Sequence, residues 1–457
     1  MNVCFVNVTD RLMGGSQHPN HDLAPLDIGY CASILDELGH NTFFIETGTK
    51  DWDTNKIKSF IIKNKINICV FKVKHDLSRI VLFISGEIKL FVDKIFVFGS
   101  FPSLSPKSFI FKESPIDICI IGEPEVTIKE LFDNKKNKSK IRGIAYYSKK
   151  FIKNGDRGLL KNLDNLPLPK HVFFIDKNYR FYYPTHLKEK LRIGYILSSR
   201  GCPFRCSFCS IIERVSQGKH FVGRSPVSVV DEIEFLVRKG VNFIYFEDDI
   251  FTCDMSRVEE ICDEILRRNV KVGWAIQSRV DMLNQKIIKK LRLAGCSTIC
   301  LGIETINEEL LVKINKGLNK SKIIECCKWC KLAGIKIVGF FMIGLPGETK
   351  ELIREDIKFA KRITPDMITI SFYTPYVGSK DYNGESNASQ RYHGFPHQSY
   401  SKLHVNDLIK LQKFFYKSFY LDPVFLFSFF RNEFFYILKN FNMEKELFIK
   451  TIRFLFF

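Results

Sequence analysis

Three cysteines that could bind a metal cluster stand close together near the middle of the 457-residue chain. Cys202, Cys206 and Cys209 lie in SSRGCPFRCSFCS at C-x3-C-x2-C spacing, directly after a predicted strand. Three thiolates in one short loop can bind three irons of a [4Fe–4S] cube and leave the fourth iron open to a substrate's amine and carboxylate. A structural zinc site usually has four ligands, and no fourth Cys or His lies nearby at zinc-finger spacing. Because Cys202 also stands between Gly201 and Pro203, a loop context, the pattern favours an iron–sulfur cluster over a zinc knuckle or chance core thiols.

The elements around this loop predict a barrel. Residues 190–385 alternate short apolar runs with helical patterns, and the predicted strands cover residues 193–198, 243–247, 274–278, 298–302, 337–343 and 367–372. Six βα repeats in this length are typical of an open or partial (β/α)6 barrel, whose chemistry lies at the carboxyl ends of its strands. The cysteine loop follows the first of these strands, so we expect it at that end of the barrel.

Residues 1–135 predict a second α/β unit, N-terminal to the barrel. Its β-rich runs cover residues 3–8, 42–45, 68–71, 95–98 and 118–121, and PLDIGYCASILDELGH between the first two has helical spacing. Strands that alternate with helices indicate a doubly wound, Rossmann-like parallel sheet whose ligand lies beyond the carboxyl ends of the strands. The expected ligand-binding loops are therefore residues 9–24, 99–105 and 122–125.

Two further segments complete the chain. Residues 136–189 form a connector, in which IRGIAYYSKKFIKNGD predicts a small hairpin and NLDNLPLPK a proline-punctuated linker. Residues 386–457 predict a helical C-terminal region with an intensely aromatic tail. That tail is more typical of helices packed onto the barrel than of an amphipathic helix on a membrane surface.

Composition narrows the class of protein. Apolar residues make up 45% of the chain and charged residues 26%, a globular balance that excludes a fibrous or wholly disordered chain. The net charge of +19 suits a partner such as nucleic acid, an anionic membrane surface or a phosphate-bearing ligand. No single block of Lys and Arg dominates the sequence, so a basic composition without a functional role explains the charge equally well. Because the sequence has neither a signal-peptide pattern nor a long uncharged apolar run, we expect its 14 cysteines in the reducing cytoplasm.

The cysteine loop resembles that of the radical SAM superfamily, which carries this spacing with an aromatic residue, here Phe208, before the third cysteine. The resemblance implies that Cys202, Cys206 and Cys209 hold a [4Fe–4S] cluster and act as the catalytic cysteines. It also implies that S-adenosylmethionine (SAM) binds the open iron and is reductively cleaved to a 5′-deoxyadenosyl radical. The electron would come from an external donor such as flavodoxin or ferredoxin.

The same resemblance implies a SAM-binding set at the strand ends. The acidic run Glu247-Asp248-Asp249 stands where the family has its GGE-type motif and offers acceptors for the SAM ammonium. Arg279, after the third strand, suits the SAM carboxylate or ribose, and Glu304, after the fourth, matches the family's ribose-binding position. The glycine-rich IVGFFMIGLPGET is similar to the family's strand beside the adenine. The implied SAM-binding residues are Phe208, Glu247, Asp248, Arg279, Glu304 and Gly344.

A second group of cysteines lies in a predicted helix between the fourth and fifth barrel strands. Cys326, Cys327 and Cys330 stand at i, i+1 and i+4. Three ligands at that spacing would be crowded, so we interpret these residues as core residues rather than as ligands of an auxiliary cluster.

The first segment resembles the cobalamin-binding domain that precedes the radical domain in one subgroup, that of class B methyltransferases and anaerobic magnesium-protoporphyrin cyclase. PLDIGYCASILDELGH, FGSFPSLSP and IGEPEVTIKEL stand where this subgroup has its first helix, its diglycine turn and its GEGE-type turn. Small residues in those turns would let the corrin and its nucleotide tail approach the backbone closely. The implied cobalamin-binding residues are Gly14, Gly99, Ser100, Gly122 and Glu123.

Two departures from that pattern leave an alternative open. The chain has no D-x-H-x-x-G motif, and the spacing of His18 and His21 does not match it. The diglycine turn is reduced to Gly99-Ser100, and KVKHDLSR replaces the subgroup's small-polar loop. An N-terminal domain that binds no cobalamin and acts only as a lid or docking surface is the alternative.

The resemblance implies an enzyme that methylates an unactivated carbon of a small-molecule or natural-product substrate, using SAM and cobalamin. A radical cyclase or rearrangement enzyme of the same subgroup is the nearest alternative, and a non-catalytic cobalamin or redox sensor is another. A tRNA-modifying methylthiotransferase would suit the positive charge, but such enzymes carry three N-terminal cluster cysteines and a C-terminal β-barrel. Neither pattern is seen here, so nucleic acid and membranes are not expected partners.

Overall fold

The structure is a computed structural model that describes residues 1–9, 23–48, 52–73, 77–133, 136–175, 179, 183–185, 191–209, 221–375, 379–382 and 398–429. Gly14 and the tail beyond residue 429 lie outside the described residues. In the part of the chain that is described, no helix is both long enough and apolar enough to cross a membrane.

The N-terminal part of the chain forms a seven-stranded sheet in the order β2-β1-β3-β4-β5-β6-β7. The first five strands are parallel, and the last two join antiparallel as a hairpin. The hairpin predicted within the connector therefore extends this sheet. The strands are β1 (Asn2–Val8), β2 (Asn41–Glu46), β3 (Ile68–Val73), β4 (Lys94–Phe98), β5 (Ile118–Ile120), β6 (Ile144–Ser148) and β7 (Lys150–Lys153).

Helices cover both faces of this sheet, as a doubly wound fold requires. Along β1, Val3 and Phe5 face the core under one pair of helices, and Cys4 and Val6 face the core on the other side. The helices are α1 (Leu26–Glu37), α2 (Thr54–Lys63), α3 (Ser78–Ile88), α4 (Ser100–Leu104) and α5 (Pro124–Leu131). The order 2-1-3-4-5 places the switch point, where such folds bind ligands, between β1 and β3.

The middle of the chain forms an open barrel of six parallel strands in sequential order, so the predicted (β/α)6 architecture is confirmed. The strands are β8 (Ile193–Ile196), β11 (Phe243–Phe246), β12 (Gly273–Arg279), β13 (Cys296–Glu304), β14 (Lys336–Ile343) and β15 (Met367–Phe372). A short antiparallel pair, β9 (Ser199–Arg200) and β10 (Val222–Gly223), lies next to the cysteine loop.

The barrel helices begin where a polar side chain caps the first turn. Ser225, Asp254, Asn284, Asn307, Asn319 and Thr349 each accept a hydrogen bond from a backbone N–H of the helix that follows. The helices are α6 (Pro226–Arg238), α7 (Met255–Arg267), α8 (Gln285–Leu293), α9 (Glu308–Lys313), α10 (Lys320–Leu332) and α11 (Lys350–Ile363). Cys326, Cys327 and Cys330 of α10 are buried in the hydrophobic core, as predicted.

The C-terminal region packs on the barrel through α12 (Val405–Tyr420), and α13 (Pro423–Phe429) follows it. Gln412 and Tyr416 of α12 hydrogen-bond the backbone C=O and N–H of Ile370, and Tyr420 bonds the backbone of Ile368. Ile368 and Ile370 belong to β15, the edge strand of the barrel. The helix therefore pairs the edge of the sheet with side chains instead of a seventh strand.

One hydrophobic core joins the two α/β units. It includes the inner face of the barrel, with Tyr195 and Tyr245, and the face of the first sheet that α1 covers. Connector residues fill the space between them: Phe174 lies against α1, and the rings of Tyr179 and Tyr183 contact Tyr195 and Tyr245 at centroid distances of 5.7 and 6.2 Å. The connector is therefore part of the core rather than a free linker.

Candidate functional site

The cysteine loop lies at the carboxyl end of β8, where the chemistry of a βα barrel is expected. Cys206 is buried, whereas Cys202 and Cys209 are partly exposed. The backbone of the loop is fixed by the turn after α9: Ser207 donates its N–H to Ile314 at 3.0 Å, and Asn315 donates to the carbonyl of Arg205 at 2.6 Å. The barrel thus contacts the backbone of the loop on both sides of Cys206.

Arg279, at the end of β12, places a positive charge beside the cysteines. Its Nη1 lies 3.6 Å from Sγ of Cys206, and its guanidinium stacks on the Phe204 ring at 3.9 Å. Two hydrogen bonds that its guanidinium donates to the Asp281 carboxylate, at 2.9 and 2.8 Å, fix its orientation. Burial by itself would lower the pKa of Arg279, but the Asp281 carboxylate outweighs this effect and the pKa is raised. A permanent cation therefore lies within hydrogen-bonding distance of the Cys206 sulfur.

Asp248 and Asp249, after β11, bind the backbone that leads into the cysteine loop. Asp248 is buried and accepts hydrogen bonds from the N–H of Ser198 at 2.7 Å and from the hydroxyls of Ser198 and Ser199. Asp249 accepts from the N–H of Gly201 at 3.0 Å. Burial raises the pKa of Asp248. The acidic run predicted to bind SAM therefore also positions the residues that precede Cys202.

Glu304 forms a buried ion pair that the sequence did not predict. Its carboxylate lies 2.8 Å from Nζ of Lys316, and both side chains are nearly inaccessible. The pairing between β13 and β14 shifts register just before Glu304, whose φ of 64° is left-handed and costs about 1 kcal/mol for a residue with a Cβ. Such a bulge re-aims a side chain, and strained backbone of this kind is concentrated at functional sites.

Lys316 connects this ion pair to the cysteine loop. Its carbonyl accepts a hydrogen bond from Arg279 at 2.5 Å. Burial alone would lower the pKa of Lys316, but the Glu304 carboxylate raises it, so the ammonium remains charged. Arg279, Glu304 and Lys316 therefore form one charged group beside Cys206 at the barrel's carboxyl end, suited to a ligand with both an amine and a carboxylate.

Gly344 lies in a turn after β14 that is held by a buried glutamate. Its φ of 85° is left-handed, and its N–H donates to Oε2 of Glu348 at 2.5 Å. Glu348 is fully buried, and burial, together with the nearby carboxylate of Asp356, raises its pKa to about 8. Asp356 in turn accepts from the N–H of Ile306 at 2.7 Å, two residues beyond Glu304. The two turns that should surround SAM therefore share one buried carboxylate pair.

The donor set fits an iron–sulfur cluster better than a single metal ion. Within the described residues, no three His, Cys, Asp or Glu side chains are grouped closely enough to hold one ion. A [4Fe–4S] cube binds each cysteine at a different iron, so its ligands are spread more widely. A fixed loop with three cysteines and an adjacent cation has the chemistry that such a cube requires.

The two glycines of the predicted cobalamin-binding turns that the structure describes have different surroundings. Gly122, after β5, has a φ of 79°, and a Cβ added there would meet no atom within 4 Å, so the space beyond β5 is open. A Cβ on Gly99 would lie 2.3 Å from the carbonyl oxygen of Val73, so this glycine is needed for the close approach of β3 and β4. Ser100 begins α4 directly after Gly99.

Glu123, the fourth residue predicted in these turns, reaches the barrel. Its Oε1 lies 3.0 Å from Nη1 of Arg200, and its Oε2 accepts from the N–H of Leu160 at 2.7 Å. Arg200 also donates to Glu125 at 2.5 Å. The turn after β5 is therefore in contact with the residue two positions before Cys202.

Of the predicted SAM residues, Arg279, Glu304 and Gly344 lie at the carboxyl ends of adjacent strands, and Phe208 packs against the barrel core. Sequence reasoning missed Lys316, Asp281 and Arg200. Arg200 stands two residues before the first cysteine of the motif, which is a usable signal, whereas Lys316 lies in a turn twelve residues after Glu304 and has no distinguishing pattern.

Fold and site together define an α/β enzyme in which a doubly wound domain is joined to a partial barrel that carries a cluster-type cysteine loop. The family model described as the radical SAM superfamily matches residues 196–360. An uncharacterized methyltransferase of Pyrococcus horikoshii is 30% identical over 363 residues, which cover 78% of this chain and 77% of the relative. The chain belongs to the radical SAM superfamily, whose members use a [4Fe–4S] cluster and SAM.

Two other comparisons span both domains. The anaerobic magnesium-protoporphyrin IX monomethyl ester cyclase of Rubrivivax gelatinosus is 27% identical over 389 residues, 79% of this chain and 67% of the relative. The structure of the radical SAM methyltransferase TsrM from Kitasatospora setae, with cobalamin and a [4Fe–4S] cluster bound, has a TM-score of 0.63 at 19% identity, covering 82% of this chain and 74% of that one. This likeness confirms the predicted fold, including the N-terminal domain.

Proposed function

We propose that this protein cleaves SAM at a [4Fe–4S] cluster held by Cys202, Cys206 and Cys209 and, with cobalamin in its N-terminal domain, methylates a carbon of a small molecule. One observation carries the proposal. Arg279 of the charged group contacts Cys206 of the cysteine loop, and Arg200, two residues before Cys202, contacts Glu123, the residue after Gly122 in the N-terminal domain.

The cofactors supply the chemistry when bound: the cluster provides the electron that breaks a C–S bond of SAM, and cobalamin carries the methyl group. The residues of the chain bind and orient. Arg279 and Lys316 offer cations for the SAM carboxylate, and Glu304 offers an acceptor for its ammonium or ribose hydroxyls. Gly344, where an added Cβ would lie 3.1 Å from Leu408 of α12, lets that helix pack closely on the turn after β14, near which the adenine would lie. Aromatic side chains fill the inner barrel and exclude water from the side of the site that faces the barrel interior.

The relatives support methyl transfer and one alternative. The relative from Pyrococcus horikoshii is described as a methyltransferase, and TsrM is a methyltransferase that binds cobalamin. The Rubrivivax relative is a cyclase, so ring formation on a small molecule is the second candidate. An external reductase protein in the cytoplasm would supply the electron in both cases.

Anaerobic reconstitution with iron, sulfide and hydroxocobalamin tests the proposal. We expect about four irons per chain, one cobalt per chain, and release of 5′-deoxyadenosine and S-adenosylhomocysteine once SAM and a reductant are added. Four irons without cobalt would contradict the methyl-transfer proposal and favour hydrogen abstraction without methyl transfer.

Single substitutions of the three cysteines by Ala test the cluster assignment. Each should lose iron and 5′-deoxyadenosine release, because a cube with two protein thiolates is poorly held. Cys326→Ala, at a buried core position, is the matched control and should keep both. Full iron content in any of the three loop variants would show that the substituted cysteine is not a cluster ligand.

A further inference from the structure

We propose that Arg200 is a positioning residue that fixes the N-terminal domain against the cluster loop, through a buried bridge to Glu123 and Glu125. The inference rests on the proposed function, because it concerns how a cofactor in one domain is placed relative to the cluster in the other. Neither the cysteine spacing nor the domain prediction required this contact.

The bridge starts from a rigid backbone. Arg200 follows Ser199, whose hydroxyl is bound by Asp248, and precedes Gly201, whose N–H is bound by Asp249. Its own backbone pairs in the short antiparallel ladder with Val222. The guanidinium therefore extends from a segment that the barrel holds on both sides, two residues before Cys202.

The other end of the bridge is the turn between β5 and α5. Arg200 Nη2 lies 2.5 Å from Oε1 of Glu125, and Nη1 lies 3.0 Å from Oε1 of Glu123. The guanidinium also lies 5.5 Å from the ring centroid of Tyr30, on α1. Arg200 thus contacts two carboxylates and one ring, all of them in the N-terminal domain.

The contact between Arg200 and Glu125 is buried, so it is favourable only when the two side chains keep their geometry. Glu125 is fully buried, and its Oε2 has no hydrogen-bond partner among the described residues. Glu125 therefore depends on Arg200 for its counter-charge, and loss of that partner would leave an unpaired buried carboxylate. A lysine supplies one point charge and cannot reach two carboxylates in the planar geometry of a guanidinium. Only the original geometry therefore keeps both contacts.

The bridge lies beside the proposed cofactor space at Gly122, so it affects the geometry of the site. Glu123 and Glu125 are the first and third residues after Gly122, and the open space at Gly122 is where the N-terminal cofactor would lie. A bridge from this turn to residue 200 sets the distance between that space and the cysteines. We expect the turn and the cofactor to lose their fixed placement when the bridge is altered, while the cluster remains bound by its own loop.

The test compares Arg200→Lys and Glu125→Gln with Arg157→Gln in the full-length reconstituted protein. Arg157 pairs with Glu130, on the same helix as Glu125, but extends from the connector rather than the barrel, so it is a matched control. Three quantities are measured: iron content, hydrogen exchange of residues 122–131, and the dissociation constant of hydroxocobalamin.

For Arg200→Lys we expect unchanged iron, faster exchange at residues 122–131, and a dissociation constant raised about tenfold, as for the loss of one specific polar contact. The double variant with Glu125→Gln should be no worse than Arg200→Lys alone, because the two residues act as a pair. Arg157→Gln should leave the hydroxocobalamin affinity unchanged.

Three results would overturn the inference: unchanged exchange, unchanged hydroxocobalamin affinity despite faster exchange, or loss of iron in Arg200→Lys but not in the control. Loss of iron would mean that Arg200 is needed for the fold of the cysteine loop itself. Failure of the proposed function is separate, since it would appear as wild-type protein that binds no hydroxocobalamin. The exchange measurements and the double variant would then still decide whether the bridge holds the domains.

Discussion

Glu304 and Lys316 form a buried ion pair at the carboxyl end of the barrel, and Gly302 leaves room for it. A Cβ added at Gly302 would lie 2.8 Å from Nζ of Lys316 and 2.9 Å from Oε1 of Glu304. Because Nζ is the end of a flexible side chain, it would move away rather than force the strand apart. The pair would then be disrupted with little damage to the barrel.

The first residue-scale prediction is that Gly302→Ala weakens SAM binding about tenfold, equivalent to about 1.4 kcal/mol. The melting temperature should fall by only a few degrees, about the shift that 1 kcal/mol gives in a chain of this size. Equilibrium binding of SAM to the reconstituted protein measures the first effect. Gly158→Ala, where an added Cβ meets no atom within 4 Å, is the control. Equal SAM affinity in the two variants would contradict the assigned role.

The second residue-scale prediction concerns the buried carboxylates behind the SAM site. Burial raises the pKa of Glu348 to about 8 and that of Asp356 to about 7, whereas both ionise near pH 4 in the unfolded chain. Between these values the folded state keeps protons that the unfolded state has released. The contribution of these groups to stability is therefore complete below about pH 4 and is lost as the pH rises to about 8.

Glu348→Gln keeps an acceptor for Gly344 and removes the ionisable group. We expect its unfolding free energy to fall less steeply than that of the wild type between about pH 5 and pH 8, by up to about 1.4 kcal/mol per pH unit. Thermal melting at a series of pH values measures the difference. Glu325→Gln, at an exposed position of α10, should follow the wild-type profile. Parallel curves for Glu348→Gln and wild type would refute the assignment.

At the scale of elements, the edge strand β15 is completed by side chains of a helix. Tyr416 accepts a hydrogen bond from the N–H of Ile370 at 2.8 Å, and burial raises the pKa of its hydroxyl to about 12. Gln412 and Tyr420 bond the carbonyls of Ile370 and Ile368. Their spacing of four residues places all three on one face of α12, toward the strand.

Tyr416→Phe should destabilise the protein by about 1–3 kcal/mol, because the N–H of Ile370 would be left without a partner. Chemical denaturation measures the loss. Tyr147→Phe is the control, since its hydroxyl donates to the carbonyl of Lys149 on an exposed hairpin. An equal effect in both variants would mean that α12 covers the edge only by apolar packing.

At the scale of the whole molecule, the connector makes the two α/β units one cooperative structure. Phe174 is buried between α1 and the connector, with its ring 5.6 Å from that of Phe44 and 6.3 Å from that of Tyr179. A Cβ at Gly29 of α1 would lie 2.8 Å from this ring, which explains a glycine inside a helix. We therefore expect both units to unfold in a single transition.

Phe174→Ala should cost about 3–5 kcal/mol, the usual loss for a buried Phe. Because the core is shared, hydrogen exchange should speed up in strands of both the first sheet and the barrel. Val172→Ala, at a 73% exposed position of the same turn, should change neither. Faster exchange confined to the first sheet would show that the two units are independent.

Local patterns in the sequence were enough to predict the strands of both sheets and the cysteine loop. The strands of both sheets were predicted from runs of β-branched and aromatic residues, and the cysteine loop from its spacing, because these signals lie within a few residues of each other. The placement of Arg279 and Glu304 at the same end of the barrel also followed, since parallel strands present their carboxyl ends together.

Only the tertiary structure decided which distant side chains meet. Arg200 contacts Glu123 across 77 positions, and Phe174 packs on α1 from a connector that the sequence predicts only as a hairpin and a proline-punctuated linker. Lys316 reaches Glu304 because a bulge turns the end of β13 toward it. Such pairs depend on how whole elements pack, and packing is the sum of many weak contacts that no single stretch of sequence contains. Periodicity and spacing determine the elements, and the shared core determines the geometry of the site between them.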